Sequence, residues 1–328
     1  MGQTRDKQGR KAGFTIVELL TVMSIIVILI SMLVPALNKV RRYAIDVKER
    51  AQLHAISTGL EAFSAELDGY PDSNAGDDLG MPYCGAMKLA EAMVGQDLKG
   101  FNPDSKFEKK GFMEYTPSVT PWCNNPATCD CMPYPPADYP SVTCYTENVK
   151  KRKTYLQLEN ANSTQIRDIW KISDITTYSG FEPNAFVLCD VYSKVTNIRS
   201  GRKMGMPILY YKADPTKTHH PADIMSYSAY LADIAPPKGD TYIYNVRDNL
   251  GFVFLPLPWS TGCTQPMAYY PSATCCSIGT PNPMLFYQKI RNKKVSDPWP
   301  YRADSFILMS AGYDGEYGTG DDIFNFGE

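Results

Sequence analysis

Lys11-Ala12-Gly13-Phe14-Thr15-Ile16-Val17-Glu18 opens onto an apolar run, and the reading of that junction organises the rest of the chain. Residues 19–37 carry no charge, and about nineteen residues at 1.5 Å rise each are enough to cross a hydrocarbon core. A short basic leader precedes them, with Arg5, Lys7, Arg10 and Lys11 against Asp6. One carboxylate, Glu18, stands at the near edge of the run, five residues after Gly13. A carboxylate on a membrane helix is costly to bury unpaired, which marks Glu18 as a functional position. A removed secretory signal has a shorter apolar region with a small-residue cleavage site behind it, whereas here the break comes before a long run. A plain single-span anchor shares the hydropathy but has no use for Glu18.

The basic leader, Gly13-Phe14, Glu18 at the fifth place after the Gly and the unbroken apolar helix together resemble the class III signal of type IV pilins and type II secretion pseudopilins. That resemblance implies a prepilin peptidase that cuts between Gly13 and Phe14 and N-methylates Phe14. It also implies that Glu18 neutralises the terminal amine of a neighbouring subunit during assembly. The implied partners are other copies in a homo-oligomeric filament, further pseudopilins, an inner-membrane assembly platform and the membrane itself.

The helix is expected to continue past the span. Leu53, Ile56, Leu60, Phe63 and Leu67 step by three and four and make one apolar stripe, so residues 14–68 form a single helix with a membrane half (14–37) and an amphipathic half (38–68). Pro35 removes the bond to the Ser31 carbonyl, which predicts a kink or a locally unwound turn. Asp68-Gly69-Tyr70-Pro71 ends the helix with Gly and Pro in the usual order, and resembles the Gly-x-Tyr-Pro that closes the long helix of the major pseudopilin. Residues 86–98 read as a second helix with Met87, Leu89, Ala90, Met93, Val94 and Leu98 on its buried face.

The chain has 328 residues, a formal charge of -2 and nine cysteines. About 260 residues follow the long helix, ample for a core. The charge argues against a nucleic-acid binder. Lys39, Arg41, Arg42, Lys48 and Arg50 follow the span as closely as the leader charges precede it, so the positive-inside rule does not settle orientation. The cysteines speak to it instead. Cys123, Cys129, Cys131 and Cys144 crowd one Pro-rich stretch, and Cys263, Cys275 and Cys276 another; such loops gain most from disulfides, which persist outside a reducing cytosol. This predicts a single-pass protein of the inner membrane, with its N-terminus cytoplasmic and residues 69–328 periplasmic or extracellular. Zinc is the competing reading, but Cys129-x-Cys131 lacks the usual two-residue gap and no second pair completes four ligands. Connectivity does not follow from spacing.

Strand-like runs occur at residues 186–192, 207–212, 241–246 and 306–310, separated by irregular insertions at about 116–147 and 256–280. The expected fold is α+β, a long N-terminal helix on a small antiparallel sheet with large cysteine-rich loops. In the last segment, Ser310-Ala311-Gly312-Tyr313-Asp314-Gly315-Glu316-Tyr317-Gly318-Thr319-Gly320-Asp321-Asp322-Ile323, four glycines and four acidic side chains offer the hard oxygens that calcium prefers, without EF-hand spacing. Asp-Gly pairs also make plain turns. The segment resembles the calcium loop of the major pseudopilin, which implies Asp314 and Asp321 as ligands, with Asp322 a third and Ser310 and Leu308 offering backbone oxygens. His54 and the adjacent His219 and His220 suggest packing or surface roles, and no catalytic triad, phosphate loop or nucleotide fingerprint is present, so no enzyme is expected. The function expected is that of a structural subunit of a pseudopilus or type IV-like filament. The alternative is a surface pilin or membrane-anchored adhesin using the Tyr-rich loops around Tyr134 to Tyr145 and Tyr269-Tyr270.

Overall fold

The structure, a computed structural model, describes residues 15–77, 81–105, 107, 150–219, 241–259, 267, 284–295 and 299–326. The chain divides into two compact units after Asp46. Helix α1 (Ile16–Leu67) contributes to both. In the first unit every residue from Thr15 to Ala44 is exposed, including the apolar ones. Hydroxyls in this stretch are satisfied by the helix itself: Ser24 Oγ donates to the Leu20 carbonyl at 2.8 Å and Ser31 Oγ to the Ile28 carbonyl at 2.7 Å. Of the two outcomes expected at Pro35, a kink or an unwound turn, the unwound turn does not occur, and α1 stays helical past it. One lost bond is outweighed by the intact turns on either side.

In the second unit the outer half of α1 buries Leu53, Ile56, Leu60 and Phe63, as the stripe predicts, while Leu67 is 36% exposed because the helix ends there without cover. Phe63 meets Phe101 and Tyr155 edge-on, with ring centroids 5.0 and 5.2 Å apart. Gly59 permits close approach, since a Cβ there would lie 2.8 Å from Met93 Sδ and 3.0 Å from the Tyr155 carbonyl oxygen. The left-handed residue at the helix end is Asp68 (φ 57°), with the Gly69 N–H bonded to the Ser64 carbonyl at 3.2 Å. Asp tolerates that conformation better than most residues.

Helix α2 (Gly85–Val94) is buried on every side. It stops four residues short of the expected Leu98, because Gly95 takes φ 81° and its N–H closes back on the Glu91 carbonyl. Gly85 cannot be replaced cheaply, as a Cβ would stand 2.2 Å from the Tyr210 carbonyl oxygen. Among the described residues, three antiparallel sheets follow. β1 (Ser163–Gln165) pairs with β2 (Phe186–Leu188), and β3 (Val195–Thr196) with β4 (Lys203–Met204). β5 (Leu209–Lys212), β6 (Phe306–Ser310) and β7 (Ile323–Phe324) form the largest, in the order β5-β6-β7, with Leu209 opposite Met309 and Ser310 opposite Ile323. All five β6 residues are buried. The architecture is therefore α+β, a long helix with small antiparallel sheets.

Residues 241–246 are not the expected strand. They make one parallel bridge, Thr218 to Tyr242, and then enter a 3-10 turn, Val246–Asn249, capped by Asn245. Tyr242, Ile243 and Tyr244 are all buried rather than alternating in and out; Thr241 and Ile243 exchange backbone bonds with Asp214 and Thr218, and the Tyr244 carbonyl accepts the Tyr287 hydroxyl at 3.2 Å. The insertion at 116–147, the remainder of 256–280 apart from residues 256–259 and 267, and all seven cysteines named as disulfide candidates lie outside the described residues. Cys84 and Cys189 are buried free thiols.

Two polar side chains of α1 clasp the end of β2. Glu49 Oε2 accepts the Val191 N–H at 2.9 Å, and Gln52 Nε2 donates to the Cys189 carbonyl at 2.8 Å. Between those contacts the fully buried Asp190 accepts the N–H groups of Tyr192 and Met206, each at 3.1 Å, and the Ser310 hydroxyl at 3.2 Å. Burial, then the nearby Glu49, raises the Asp190 carboxyl well above the usual aspartate range. A folded carboxyl with a raised pKa keeps its proton where the unfolded chain, near pH 3.9, has released it. Stability is therefore lost as pH rises from about 4 toward the folded pKa. Asp190→Asn should flatten that slope in urea unfolding of the detergent-solubilised chain between pH 4 and 8; an unchanged slope would show that another group sets it.

Candidate functional site

The first candidate lies at the start of α1. Thr15 precedes the helix, and its N–H and hydroxyl both donate to Glu18 Oε2 at 2.8 Å. The Glu18 N–H returns a bond to Thr15 Oγ1 at 3.2 Å. This is a capping box, Thr-x-x-Glu, in which side chains at the first and fourth places satisfy each other's orphan N–H groups. The signature stands in the sequence, yet the sequence reading gave Glu18 only a partner outside the chain. Oε1 of Glu18 takes no bond from the described residues, so the carboxylate is held in place with one oxygen available. The acid also lies at the positive end of the helix dipole. Gly13 and Phe14, the expected processing junction, lie outside the described residues.

Behind Glu18, α1 is long and apolar enough to cross a membrane by length and composition, which is compatible with a single-pass anchor. Residues 8–34 match the family model of the prokaryotic N-terminal methylation motif. The chain thus carries a type IV pilin-like leader, covering the end of the basic segment, the Gly13-Phe14 junction, Glu18 and most of the apolar run. No curated protein and no solved structure matches the chain.

The second candidate is the loop between β6 and β7. Gly312 (φ 69°), Gly315 (φ 73°) and Gly318 (φ 97°) give it left-handed turns. Contact also requires glycine at Gly312, where a Cβ would stand 2.2 Å from the Asp321 carbonyl oxygen. Asp314 Oδ1 accepts the Glu316 N–H at 2.8 Å, and Asp321 Oδ2 accepts the Asp314 N–H at 2.9 Å, so two of the predicted ligands are brought together. Burial raises Asp314, the Glu316 N–H opposes it, and the adjoining Asp321 raises it again. Burial pulls Asp321 upward too, but the Thr319 hydroxyl and the Asp314 N–H outweigh it and hold Asp321 low. Burial and then Asp314 raise Glu316. The loop is thus a half-buried carboxylate pair with a third acid close by.

Asp322 is placed differently. Its side chain is fully buried, and Oδ2 accepts from Lys289 Nζ at 2.6 Å and from the Gly318 N–H at 3.0 Å. Its Oδ1 is buried and takes no hydrogen bond. Burial lifts Asp322 to about 7 even though the Lys289 ammonium lowers it. Ser310 Oγ accepts the Gly312 N–H at 3.3 Å and donates to Asp190, so the loop begins on the clasp described above. Among the described residues no group of three or more His, Cys, Asp or Glu side chains is arranged to hold a metal. Of the expected ligands, Asp314 and Asp321 stand together, while Asp322 faces Lys289. His54 is exposed on α1, and His219 is buried edge-on to Tyr287 at 6.2 Å, while His220 lies outside the described residues.

Lys289→Met should cost roughly 3 kcal/mol of folding free energy, because it leaves the Asp322 carboxylate buried without its cation. Adding Asp322→Asn to that variant should recover part of the loss. Urea midpoints of the three proteins check both expectations.

Proposed function

We propose that the chain is a structural subunit of a type IV pilin-like filament, of the pseudopilus kind that serves type II protein secretion. What carries this reading is the match at residues 8–34, with Glu18 five residues after Gly13 at the head of an exposed apolar helix. A prepilin peptidase cuts between Gly13 and Phe14 and methylates the new amine of Phe14. Subunits wait in the inner membrane with the leader on the cytoplasmic side and residue 47 onward outside. Glu18, held by Thr15 through Oε2, presents Oε1 to the Phe14 amine of a neighbouring copy. In a low-dielectric surround that pair is strong, and either charge alone is costly. The exposed apolar face of residues 16–44 then buries against other copies as the filament grows.

The C-terminal loop holds calcium in this reading. Asp314 and Asp321 repel one another unless a proton or a cation lies between them, and Asp322 Oδ1 lacks a donor. The ion's task is structural, fixing the turn between β6 and β7 and adding stability by mass action.

Three measurements test the proposal. Intact mass and N-terminal sequencing of the membrane-extracted protein, with and without co-expressed prepilin peptidase, should give a mature chain starting at methylated Phe14 only when the peptidase is present. A full-length chain in both would sink the reading. Glu18→Ala should stay in the membrane fraction and lose filament formation. For the loop, millimolar calcium should raise the unfolding temperature of the wild type relative to chelator, and Asp314→Asn with Asp321→Asn should abolish the difference; no shift in the wild type would remove calcium from the proposal.

A further inference from the structure

Helix α2 buries a lysine. Lys88 is 2% exposed, although lysine is almost never buried so fully unless it is paired. Its ion pair is loose: Asp72 Oδ2 stands 3.8 Å from Nζ, and the Asp72 side chain is 51% exposed, so water shares that charge. The closer contacts of Nζ are neutral. It donates to the Gly76 carbonyl at 2.9 Å and to the side-chain carbonyl of Asn74. Burial lowers the Lys88 pKa, and Asp72 and then Asp248 offset that only in part. The neutral amine, which is the nucleophilic form, is therefore more accessible here than on a surface lysine.

Both groups stand on fixed backbone. Lys88 lies inside α2, its N–H bonded to the Cys84 carbonyl at 3.0 Å. Asn74 lies between Ser73, whose hydroxyl accepts the Lys212 N–H at 3.0 Å, and Ala75, whose carbonyl accepts the Tyr83 N–H at 3.1 Å. An amine and a carboxamide held in this way meet at high effective concentration. With Gly76 and Asp72 taking two of the N–H groups, the remaining direction, toward Asn74, is where the lone pair of the neutral amine stands. Asn74 is itself exposed, which gives a leaving group a way into water.

We propose that Lys88 and Asn74 join in an intramolecular isopeptide bond. Asp72 takes one proton from the ammonium. The Nζ lone pair attacks Asn74 Cγ, and the Cγ–Nδ2 bond breaks. Nδ2 leaves as ammonia with the proton that Asp72 returns, while Asp72 receives the second Nζ proton. The Lys88 nitrogen keeps one hydrogen in the new amide, and no oxidant is needed. The bond ties the segment that follows α1 to α2 without a cysteine.

The test is a peptide map of the full chain, extracted in detergent, reduced, alkylated, unfolded in urea and digested with trypsin. An isopeptide leaves no ammonium on Lys88 for trypsin to recognise. Residues 51–99 should therefore emerge as one peptide, lighter than their sequence by one ammonia, about 17 Da, with fragments that place the link between Asn74 and Lys88. Asn74→Ala should restore cleavage after Lys88 and abolish the mass loss. Wild-type cleavage after Lys88 at full mass would leave an ordinary buried ammonium and overturn the bond. Cleavage there with ammonia lost from residues 51–88 would mean that Asn74 cyclised onto its own backbone, and would overturn it as well. Asp72→Asn should cut the cross-linked fraction of freshly synthesised protein by about tenfold or more. An unchanged fraction would overturn the proton transfer through Asp72.

Discussion

Buried polar side chains, rather than the apolar stripe, fix helix α1 in the second unit. Leu53, Ile56, Leu60 and Phe63 decide which face of the helix is covered, but a hydrophobic stripe tolerates sliding by a turn. The contacts from Glu49 to the Val191 N–H and from Gln52 to the Cys189 carbonyl do not. Each would leave a desolvated group unbonded if the helix shifted, at a cost of about 1–3 kcal/mol. Asn162 adds two more bonds to the same backbone, at 3.0 Å to the Cys189 carbonyl and 2.6 Å to the Asp190 carbonyl. The end of β2 is thus held from both sides, and β2 in turn neighbours β5 through the bridge from Cys189 to Pro207.

The two halves of α1 differ in where their polar side chains find partners. Along the first, exposed half, polar side chains spend their bonds on the helix itself: Thr15 with Glu18, Thr21 with the Glu18 carbonyl, Ser24 and Ser31 with carbonyls one turn back. Nothing polar is left seeking water in the apolar run, which is compatible with a membrane anchor. Along the second half, Glu49 and Gln52 bond partners 142 and 137 residues away. One continuous helix therefore serves as a self-contained segment first and as part of a core afterwards.

Sequence periodicity made α1, the core of α2 and strand β6 legible, because each carries a strong local pattern: a stripe at three and four, a helical apolar face, and Phe-Ile-Leu-Met between turn residues. The leader was legible for another reason, since Gly13, Phe14 and Glu18 act through their spacing. What failed to show were features decided at long range. Residues 241–246 alternate aromatic and aliphatic side chains like a strand, yet they are buried on all sides and pair by backbone only with Asp214 and Thr218 before turning. The clasp on β2, the buried Asp190 and the Lys289–Asp322 pair depend on partners far along the chain, which no window of sequence displays. The Thr15–Glu18 box was readable and was overshadowed by the membrane context of the same residues.

Ser310 joins two places that are separate in sequence, since its hydroxyl accepts a hydrogen bond from the Gly312 N–H and donates one to Asp190. The consequence is mechanical. A pull along the outer half of α1 loads the Cys189 and Val191 backbone first, then passes through Asp190 to Met206 before β5 and to Ser310 at the end of β6. The strain is shared across neighbouring strands of the largest sheet instead of peeling one from its edge.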